Sequence, residues 1–288
     1  MLDGRPSQRL DLALAPTRFP CTLEKWYVDV LLEDGTIVLI YFGQLALLGA
    51  RWARATAEVF FADGRVVRGS AAVEAASGRG AELRFGDSGI SGDRLFIAAG
   101  ELRGTLCYHP RATPADLRRP FLSVGTRRLD WTVEIPDADV EGELSWPGGR
   151  LEVRGRGYRD RVFFDLPPWR FPISTLHWGR AVAGEHAAFW VHAELGRGDA
   201  GPPLTHSWVD GQEVTALPMA LPTGLTLGTP RTLLDVHVGE IEGLRLGPAR
   251  ALLRRLTGDP HEIKHAAPCT IFGAPGRAIH EVVTWQQS

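Results

Sequence analysis

The stretch of sequence that decides the fold class is Trp26–Phe42, which reads WYVDVLLEDGTIVLIYF. Two runs rich in β-branched and aromatic residues flank an Asp-Gly dipeptide at 34–35, which favours the positive φ values of a tight hairpin turn. The same arrangement returns around the Asp-Gly dipeptides at 63–64 and 210–211. Strand-like runs fill most of the remaining chain, and only Pro248–Leu256 places its leucines at helical spacing. The sequence therefore predicts an all-β, antiparallel fold with one short helix near the C-terminus.

The number of these runs exceeds what one small β-barrel contains, so we expect two consecutive β-barrel or sandwich domains. The alternating pattern breaks at Trp146–Gly149, close to the middle of the chain. We place the domain boundary there, with an N-terminal domain at 1–148 and a C-terminal domain at 149–288. No strict repeat of about 20–50 residues is visible, which argues against a propeller or a solenoid.

Charge and composition exclude several classes of protein. The 288 residues carry 32 basic and 34 acidic side chains, so the basic excess that nucleic-acid binding requires is missing. The three cysteines are far apart and form no CxxC motif, which favours a reducing compartment. We see no signal-peptide pattern and no apolar run long enough to span a bilayer, and we therefore expect a cytoplasmic protein. Peripheral membrane contact and the oligomeric state stay open.

Two strings match catalytic motifs by their letters alone. His261–His265 reads HEIKH, the HExxH pattern of zinc metalloproteases, but it is short, lies between two prolines and belongs to a strand-rich chain. Gly86–Gly89 reads GDSG, like the nucleophile loop of trypsin-like proteases, yet no histidine precedes it to act as the base. We interpret both strings as turns or surface segments, and we expect no metal site.

Three motifs, together with the last strand-like run, resemble a known family. They are Glu24–Asp29 (EKWYVD), Gly155–Arg161 (GRGYRDR) and Leu176–Ala181 (LHWGRA), and they are followed by Gly276–Trp285. In this order they resemble the lipocalin-like carotenoid 1,2-hydratase (hydroxyneurosporene synthase) family, to which the lipocalin-fold Diels–Alderases look related. Members of that family carry EWWYxD, GxGYHDHNWG and WxWGR at these places. The resemblance spans the chain from residue 23 to residue 285.

The motifs depart from the family's pattern at positions that matter for the chemistry. Lys25 stands where the family has its first tryptophan. Arg159 and Arg161 replace the two histidines that flank the central aspartate, Asp160. His177 stands where an aromatic or small residue is common. The reaction is therefore less closely defined by the resemblance than the fold.

The resemblance implies two lipocalin-like β domains, a deep apolar pocket near their junction, a small hydrophobic substrate and no cofactor. On that scaffold Asp160 is the candidate acid, provided that burial keeps it protonated. Its candidate catalytic partners are Tyr27, Asp29 and His177. The candidate substrate-binding residues are Glu24, Trp26, Tyr158, Arg161, Trp169 and Trp178. Aromatic faces suit this role because they stabilise a developing carbocation.

Three functions remain open. The first is acid-promoted hydration or cyclisation of a double bond in a polyene or isoprenoid. The second is a pericyclase of a polyketide-type pathway, in which Arg159 or Arg161 binds a carbonyl or carboxylate and the pocket holds a folded conformer. Strand alternation, however, points both arginines away from Asp160. The third is a lipocalin-like carrier that binds a hydrophobic ligand unchanged, with the tryptophans as barrel core and Asp160 in a structural salt bridge.

Overall fold

The structure, a computed structural model, describes residues 21–47, 49–74, 76–78, 82–116, 121–124, 127–166, 172–196, 203–214, 221–237 and 260–285. The regular structure in these residues is β-strand throughout, which confirms the predicted fold class. The helix expected at 248–256 lies outside the described residues. Within the described ranges, no helix is long and apolar enough to cross a membrane.

The strands follow one another along the chain without an intervening helix in the described residues. They are β1 (Cys21–Leu32), β2 (Ile37–Leu47), β3 (Ala50–Phe60), β4 (Val66–Val73), β5 (Ala76–Ser77), β6 (Glu82–Phe85), β7 (Ser88–Ser91), β8 (Arg94–Ala99), β9 (Leu102–Pro110), β10 (Ala115–Asp116), β11 (Leu122–Val124), β12 (Arg127–Trp146), β13 (Gly149–Phe164), β14 (Ile173–Ala183), β15 (His186–Leu195), β16 (Leu204–Val209), β17 (Gln212–Glu213), β18 (Leu225–Leu227), β19 (Arg231–His237), β20 (His261–Ile271) and β21 (Ala274–Thr284).

The first sheet curls into a nearly closed barrel. Its order is β4-β3-β2-β1-β13-β12-β9-β8-β7-β6-β5, and β10 and β11 pair along β12. The curl brings β4 close to the turn between β8 and β9, where a Cβ atom on Gly69 would overlap the carbonyl oxygen of Ala99. Glycine is therefore required at position 69 for this close approach of two backbones.

The second sheet is a half-barrel with the order β17-β16-β15-β14-β21-β20-β18, and β19 pairs with β20. The three expected Asp-Gly turns join β1 to β2, β3 to β4, and β16 to β17. At the last of these turns Asp210 and Gly211 have φ values of 52° and 78°. Two consecutive positive φ values are what a two-residue type I′ hairpin turn requires.

The change from the first sheet to the second falls later in the chain than the expected boundary at 148/149. Trp146 and Gly149 instead close a long hairpin, in which β12 pairs with β13 inside the first sheet. The second sheet begins with β14, at Ile173. The Pro-Gly-Gly sequence marks a turn between two strands of one sheet, and such a turn interrupts alternation in the same way as a change of domain.

Strand β1 supplies side chains to two separate cores. Val28 and Val30 point into the barrel, whereas Tyr27 and Leu31 face the second sheet and pack in the core that contains Trp178. This is the period-two alternation of a strand that is buried on both faces. We call the core between the two sheets the inter-sheet layer. Each large apolar side chain that it buries fully stabilises the fold by about 1.5–3 kcal/mol.

Candidate functional site

Polar and aromatic side chains meet at the centre of the inter-sheet layer. In the first sheet, Tyr27 and Asp160 are register neighbours on β1 and β13. In the second sheet, Trp178, Glu281 and Lys264 are register neighbours on β14, β21 and β20. The two rows touch, because Lys264 Nζ lies 4.5 Å from the centre of the Tyr27 ring, and the Tyr27 and Trp178 rings are 4.9 Å apart. We call these five residues the central site.

Asp160 is a buried carboxyl group that accepts two hydrogen bonds. The indole Nε1–H of Trp131 donates to Asp160 Oδ2 over 2.9 Å, and the Tyr158 hydroxyl donates to the same oxygen over 3.0 Å. Burial raises the pKa of Asp160 to about 7, although both hydrogen bonds and the charge of Lys25 act in the opposite direction. Since neither donor bonds to Oδ1, that oxygen can carry the proton. A carboxyl group with this pKa can donate a proton at neutral pH.

Lys264 is fully buried in a cage of aromatic rings and carboxyl groups. Its ammonium pairs with Glu281 and lies 3.6 Å from Glu262 Oε1. The ring centres of Tyr41 and Trp178 lie 5.3 and 5.5 Å from Nζ. Burial lowers the pKa of Lys264, but Glu281, Tyr41 and Glu262 all raise it, and together they hold this pKa well above its usual range. Lys264 is therefore a fixed cation inside the layer.

The two carboxyl groups beside Lys264 differ in how tightly they hold a proton. Burial raises the pKa of Glu281, but the nearby positive charges, Lys264 first and then Lys25, together hold it below its usual range. Burial, followed by the charge of Glu281, raises the pKa of Glu262. The pair of Lys264 and Glu281 is thus ionised, and Glu262 is the carboxyl group of this cluster that holds a proton more readily.

A second buried ion pair lies beside the central site. Arg180 Nη2 is 2.5 Å from Asp29 Oδ1, and the two side chains are 1% and 0% exposed. The same Nη2 donates to the carbonyl oxygen of Arg156 over 2.8 Å, and the Arg180 guanidinium lies 5.7 Å from the centre of the Tyr158 ring. Burial raises the pKa of Asp29, and the Arg180 charge opposes that rise only in part. Breaking such a pair would leave a buried charge without a partner.

The inter-sheet layer brings together half of the site residues expected from the sequence. They are Tyr27, Asp29, Tyr158, Asp160 and Trp178. The ring centres of Tyr158 and Trp178 are 5.5 Å apart, and those of Tyr27 and Tyr158 are 6.1 Å apart. The candidate acid therefore lies among aromatic faces, as the resemblance implies.

Three other expected residues lie on the opposite face of β1 and β13, away from Asp160. Arg161 Nε donates to Glu24 Oε1 over 2.6 Å, and the Arg161 guanidinium lies 5.4 Å from the centre of the Trp26 ring. Trp26 packs edge-on against Phe85 in the barrel core. These residues form a barrel cluster, and the structure does not join it to the central site.

Arg159 also points away from Asp160, as strand alternation predicts. Its Nε lies 2.8 Å from Glu134 Oε2, and its Nη1 donates to the carbonyl oxygen of Gly92. Neither Arg159 nor Arg161 therefore holds Asp160 ionised. The carbonyl-binding role that we considered for these two arginines has no support in their placement, because both are directed to the barrel side.

His177 lies on the face of β14 opposite to Trp178, so the structure does not bring it to Asp160. Its ring stacks on His280 with centres 5.7 Å apart. Burial lowers the pKa of His177 and lowers that of His280 to about 4. Trp169, the remaining expected residue, lies outside the described residues.

Sequence reasoning missed several members of the site, and Lys264 is the most informative of them. The chain contains two lysines, and both lie beside one ring, with Lys25 Nζ 5.1 Å and Lys264 Nζ 5.3 Å from the centre of Tyr41. A rare residue type within a strand-like run was the available signal. Alternation in that run also places Glu262 and Lys264 on one face. The other residues that we missed are Trp131, Arg180, Glu262 and Glu281.

The HEIKH string lies within strand β20, and not in a turn or a helix. Because a strand rises about 3.3 Å per residue, His261 and His265 are about 13 Å apart and cannot share a metal ion. His261 Nε2 instead bonds to Asp235 over 2.6 Å. In the part of the chain that the structure describes, no group of three or more His, Cys, Asp or Glu is arranged to hold a metal. In the GDSG string, Gly86 and Asp87 form the turn between β6 and β7, and Ser88 and Gly89 begin β7.

A cleft of about 530 Å³ opens between the sheets at one end of the inter-sheet layer. Leu31 and Val182, two apolar residues of the inter-sheet layer, form part of the wall of the cleft. Charged side chains, including Arg156, Arg277 and Asp139, form much of the rest. The described residues thus show a packed layer and a charged cleft at the junction, whereas the resemblance implied a deep apolar pocket there.

The nearly closed barrel and the half-barrel sheet are a lipocalin-like fold. No family model matches this sequence, and no curated protein matches it. Among solved structures, CghA is similar with a TM-score of 0.65 and 13% identity over 93% of this chain and 90% of CghA. A structure of CghA with Sch210972 gives a TM-score of 0.64 at 13% identity, over 92% of this chain and 89% of that chain.

Two further solved structures share the fold. An AttH protein from Nitrosomonas europaea has a TM-score of 0.57 and 14% identity over 93% of both chains. Kievitone hydratase from Nectria haematococca has a TM-score of 0.53 and 10% identity over 93% of this chain and 90% of that chain. These likenesses confirm the lipocalin-like fold that the sequence motifs imply. At 10–14% identity they concern the fold alone.

Proposed function

We propose that this protein is an enzyme in which Asp160 protonates a carbon–carbon double bond of a hydrophobic polyene or isoprenoid, and that hydration or cyclisation follows. The observation that carries the proposal is the Asp160 carboxyl group, which is buried among aromatic rings with a pKa of about 7. The neighbours in fold support it, because one of them is named a hydratase. The proposed chemistry requires no cofactor.

In the proposed reaction Asp160 first gives up a proton and later recovers one, so it ends each turnover unchanged. The proton on Oδ1 passes to one alkene carbon, which forms a C–H bond and leaves a carbocation on the neighbouring carbon. The hydrogen bonds from Trp131 and Tyr158 then stabilise the carboxylate. The faces of Tyr27 and Trp178 stabilise the cation, each by about 0.5–2 kcal/mol. Capture by water gives an alcohol once the bound water loses a proton. Capture by a second alkene forms a C–C bond that closes a ring and leaves a new carbocation, which loses a proton from a neighbouring C–H bond and becomes an alkene. In both cases the proton returns to Asp160.

A second candidate function is a pericyclic cyclisation, and Lys264 favours it. Its ammonium is a fixed cation in the same layer, caged by Tyr27, Tyr41 and Trp178. A cation at this place can bind a carbonyl oxygen of the substrate and so lower the energy of an electron-poor alkene. In this mechanism the layer holds a folded conformer of the substrate, and no proton leaves Asp160.

Asp160→Asn tests the proposed function directly. Wild-type protein and the variant are incubated with linear polyenes with and without a carbonyl group, and the products are identified by mass spectrometry. We expect Asp160→Asn to lower turnover by about 100-fold or more, because a general acid contributes that much. Asp87→Asn makes the same chemical change in the exposed turn between β6 and β7, and should leave turnover unchanged.

The other outcomes of this experiment select between the alternatives. Full turnover by Asp160→Asn, together with loss of turnover in Lys264→Met, would reject proton transfer and support the pericyclic mechanism. Recovery of every polyene intact from the wild-type protein would favour the lipocalin-like carrier.

The pH dependence of turnover provides a second test of the acid role. Since Asp160 must be protonated to act and its pKa is about 7, turnover should fall as the pH rises through that value. A pericyclic reaction that uses the Lys264 cation should keep its rate there, because the pKa of Lys264 lies well above its usual range. The initial rate measured from pH 5 to pH 9 distinguishes the two profiles.

A further inference from the structure

The strand registers divide the inter-sheet layer into successive rows between the charged cleft and Asp160. In the first sheet the register pairs of β1 and β13, from the cleft inward, are Leu31 with Arg156, Asp29 with Tyr158, and Tyr27 with Asp160. In the second sheet the register pairs of β14 and β21 are Val182 with Arg277, Arg180 with Ile279, and Trp178 with Glu281. The first pair in each sheet lines the cleft, and the third belongs to the central site.

A single row of four residues therefore lies between the cleft and Asp160 along these strands. We call it the middle row, and it consists of Asp29, Tyr158, Arg180 and Ile279. Because successive rows are two residues apart, their spacing is about 6.6–6.8 Å. The inner end of the cleft is thus about two rows, or about 13 Å, from the candidate acid.

The middle row is buried but polar. Tyr158 and Ile279 are fully buried, and so are Asp29 and Arg180 of the ion pair. A buried ion pair is weak evidence for stability, because apolar side chains of similar volume often stabilise a fold as well or better. The Tyr158 hydroxyl, which donates to Asp160 Oδ2, connects this row to the central site. Three of the four members of the middle row are polar, so the row separates water from Asp160 without a wholly apolar barrier.

Water is the reactant that distinguishes the two outcomes of the proposed reaction. Hydration consumes one water molecule in each turnover, whereas cyclisation consumes none. The cleft, at about 530 Å³, has room for roughly ten or more water molecules, and its charged walls can hold them. Asp160, by contrast, is 2% exposed. Which product forms therefore depends on whether water crosses the middle row.

We propose that the charged cleft supplies water to Asp160 and that the middle row, with its ion pair of Asp29 and Arg180, is the gate. The inference rests on the proposed function and adds control of water entry to it. With the gate open, a water oxygen bonds to the carbocation, and the proton that this water loses returns to the Asp160 carboxylate. With the gate closed, an internal alkene captures the carbocation and closes a ring, and the new carbocation loses a proton from a neighbouring C–H bond to the Asp160 carboxylate.

Hydrogen exchange at one indole group tests the gate without any substrate. The Trp131 Nε1–H is bonded to Asp160, so its exchange with D2O, followed by ¹⁵N NMR of the full chain, reports water entry at the central site. Ile279→Ala creates space in the middle row and leaves the ion pair intact. We expect this variant to accelerate the exchange by about tenfold or more. Val182→Phe fills the inner end of the cleft and should slow the exchange.

The control variant is Ile271→Ala, which makes the same change at a site that is equally buried. Ile271 lies in the core on the other face of the second sheet, so this variant should leave the exchange of the Trp131 indole unchanged. Equal acceleration by Ile271→Ala and Ile279→Ala, or no effect of both Ile279→Ala and Val182→Phe, would overturn the gate. If Ile279→Ala does not fold, Val182→Phe alone decides, with slower exchange as the supporting result and unchanged exchange as the overturning one.

The products supply the link between the gate and the reaction. With a polyene that the wild-type protein converts, Ile279→Ala should raise the ratio of alcohol to ring. A ratio that stays constant while indole exchange accelerates would reject control of the product by the gate. The exchange measurement needs no turnover, so its failure is distinguishable from failure of the acid role, which Asp160→Asn tests.

Discussion

Asp160 and Asp29 are two buried aspartates of adjoining rows, and their surroundings give them different roles. Burial raises the pKa of both. Arg180 contacts Asp29 directly, so a full positive charge compensates that carboxylate. Among the described residues, the hydrogen-bond donors to Asp160 are the neutral groups of Trp131 and Tyr158, and with a pKa of about 7 it stays mostly protonated below pH 7. Asp29 is therefore suited to an ion pair and Asp160 to proton transfer.

The raised pKa of Asp160 predicts a specific dependence of stability on pH. Below the usual pKa of 3.8 its contribution to stability is fully present, and it is lost as the pH rises through about 7, because the folded chain retains a proton that the unfolded chain has released. Asp160→Asn cannot ionise, so from pH 5 to pH 8 it should gain about 2–3 kcal/mol of unfolding free energy relative to wild type. Urea unfolding at the two pH values measures this gain. An equal difference between the two proteins at both pH values would contradict the raised pKa.

The pair of Lys264 and Glu281 predicts a non-additive response to substitution. Lys264→Met leaves Glu281 charged and buried, and should lower the free energy of unfolding by about 3–5 kcal/mol. The double variant Lys264→Met/Glu281→Leu removes both charges and should be more stable than Lys264→Met alone. Urea unfolding near pH 7 compares the two variants. A double variant less stable than Lys264→Met would show that the carboxylate of Glu281 is not left unpaired in the single one.

Among the elements, the close approach of β4 to the turn between β8 and β9 predicts that Gly69 is essential to the barrel. A Cβ atom at 69 overlaps the Ala99 carbonyl, so Gly69→Val should push the strand outward and destabilise the fold by about 1–3 kcal/mol. Gly43, in the middle of β2, has open space around the position of a Cβ atom. Gly43→Val should therefore be neutral or stabilising, since valine favours strands. Thermal unfolding of the two variants gives the comparison, and equal losses would contradict the steric argument.

Local signals in the sequence predicted the strands and turns better than they predicted which strands and sheets pack together. Asp-Gly dipeptides located three hairpins, and alternation correctly directed Arg159 and Arg161 away from Asp160. A turn signal could not show whether the chain stays in one sheet, which is why 148/149 was taken as a boundary. The alternation of side chains along a strand also does not show which of its two faces packs against the second sheet. The contact of Lys264 with Tyr27 joins strands from different sheets, far apart in sequence, and depends on packing that no local pattern encodes.

In the whole molecule, the two sheets contact each other in two ways: by apolar packing at the centre of their interface and by hydrogen bonds at its edge. The centre is the inter-sheet layer, which takes apolar side chains from both sheets. At the edge, arginines of the second sheet donate to backbone carbonyls at the hairpin turns of the first. Arg277 bonds to the carbonyl of Leu32, and Arg231 Nη1 bonds to that of Phe61 over 2.8 Å. These bonds fix the turns of β1–β2 and β3–β4 against the second sheet and so hold the rows of the central site opposite one another.

This arrangement predicts that the two sheets unfold as one unit. Because the inter-sheet layer needs both sheets to stay buried, loss of either one exposes the other's apolar face. We expect a single urea transition in which far-UV circular dichroism and tryptophan fluorescence coincide. Leu39, which is fully buried on the first sheet's side of the layer, provides the sharper test. Leu39→Ala should move the whole transition by about 2–5 kcal/mol in both signals, whereas a shift confined to part of the transition would mean that the barrel unfolds separately.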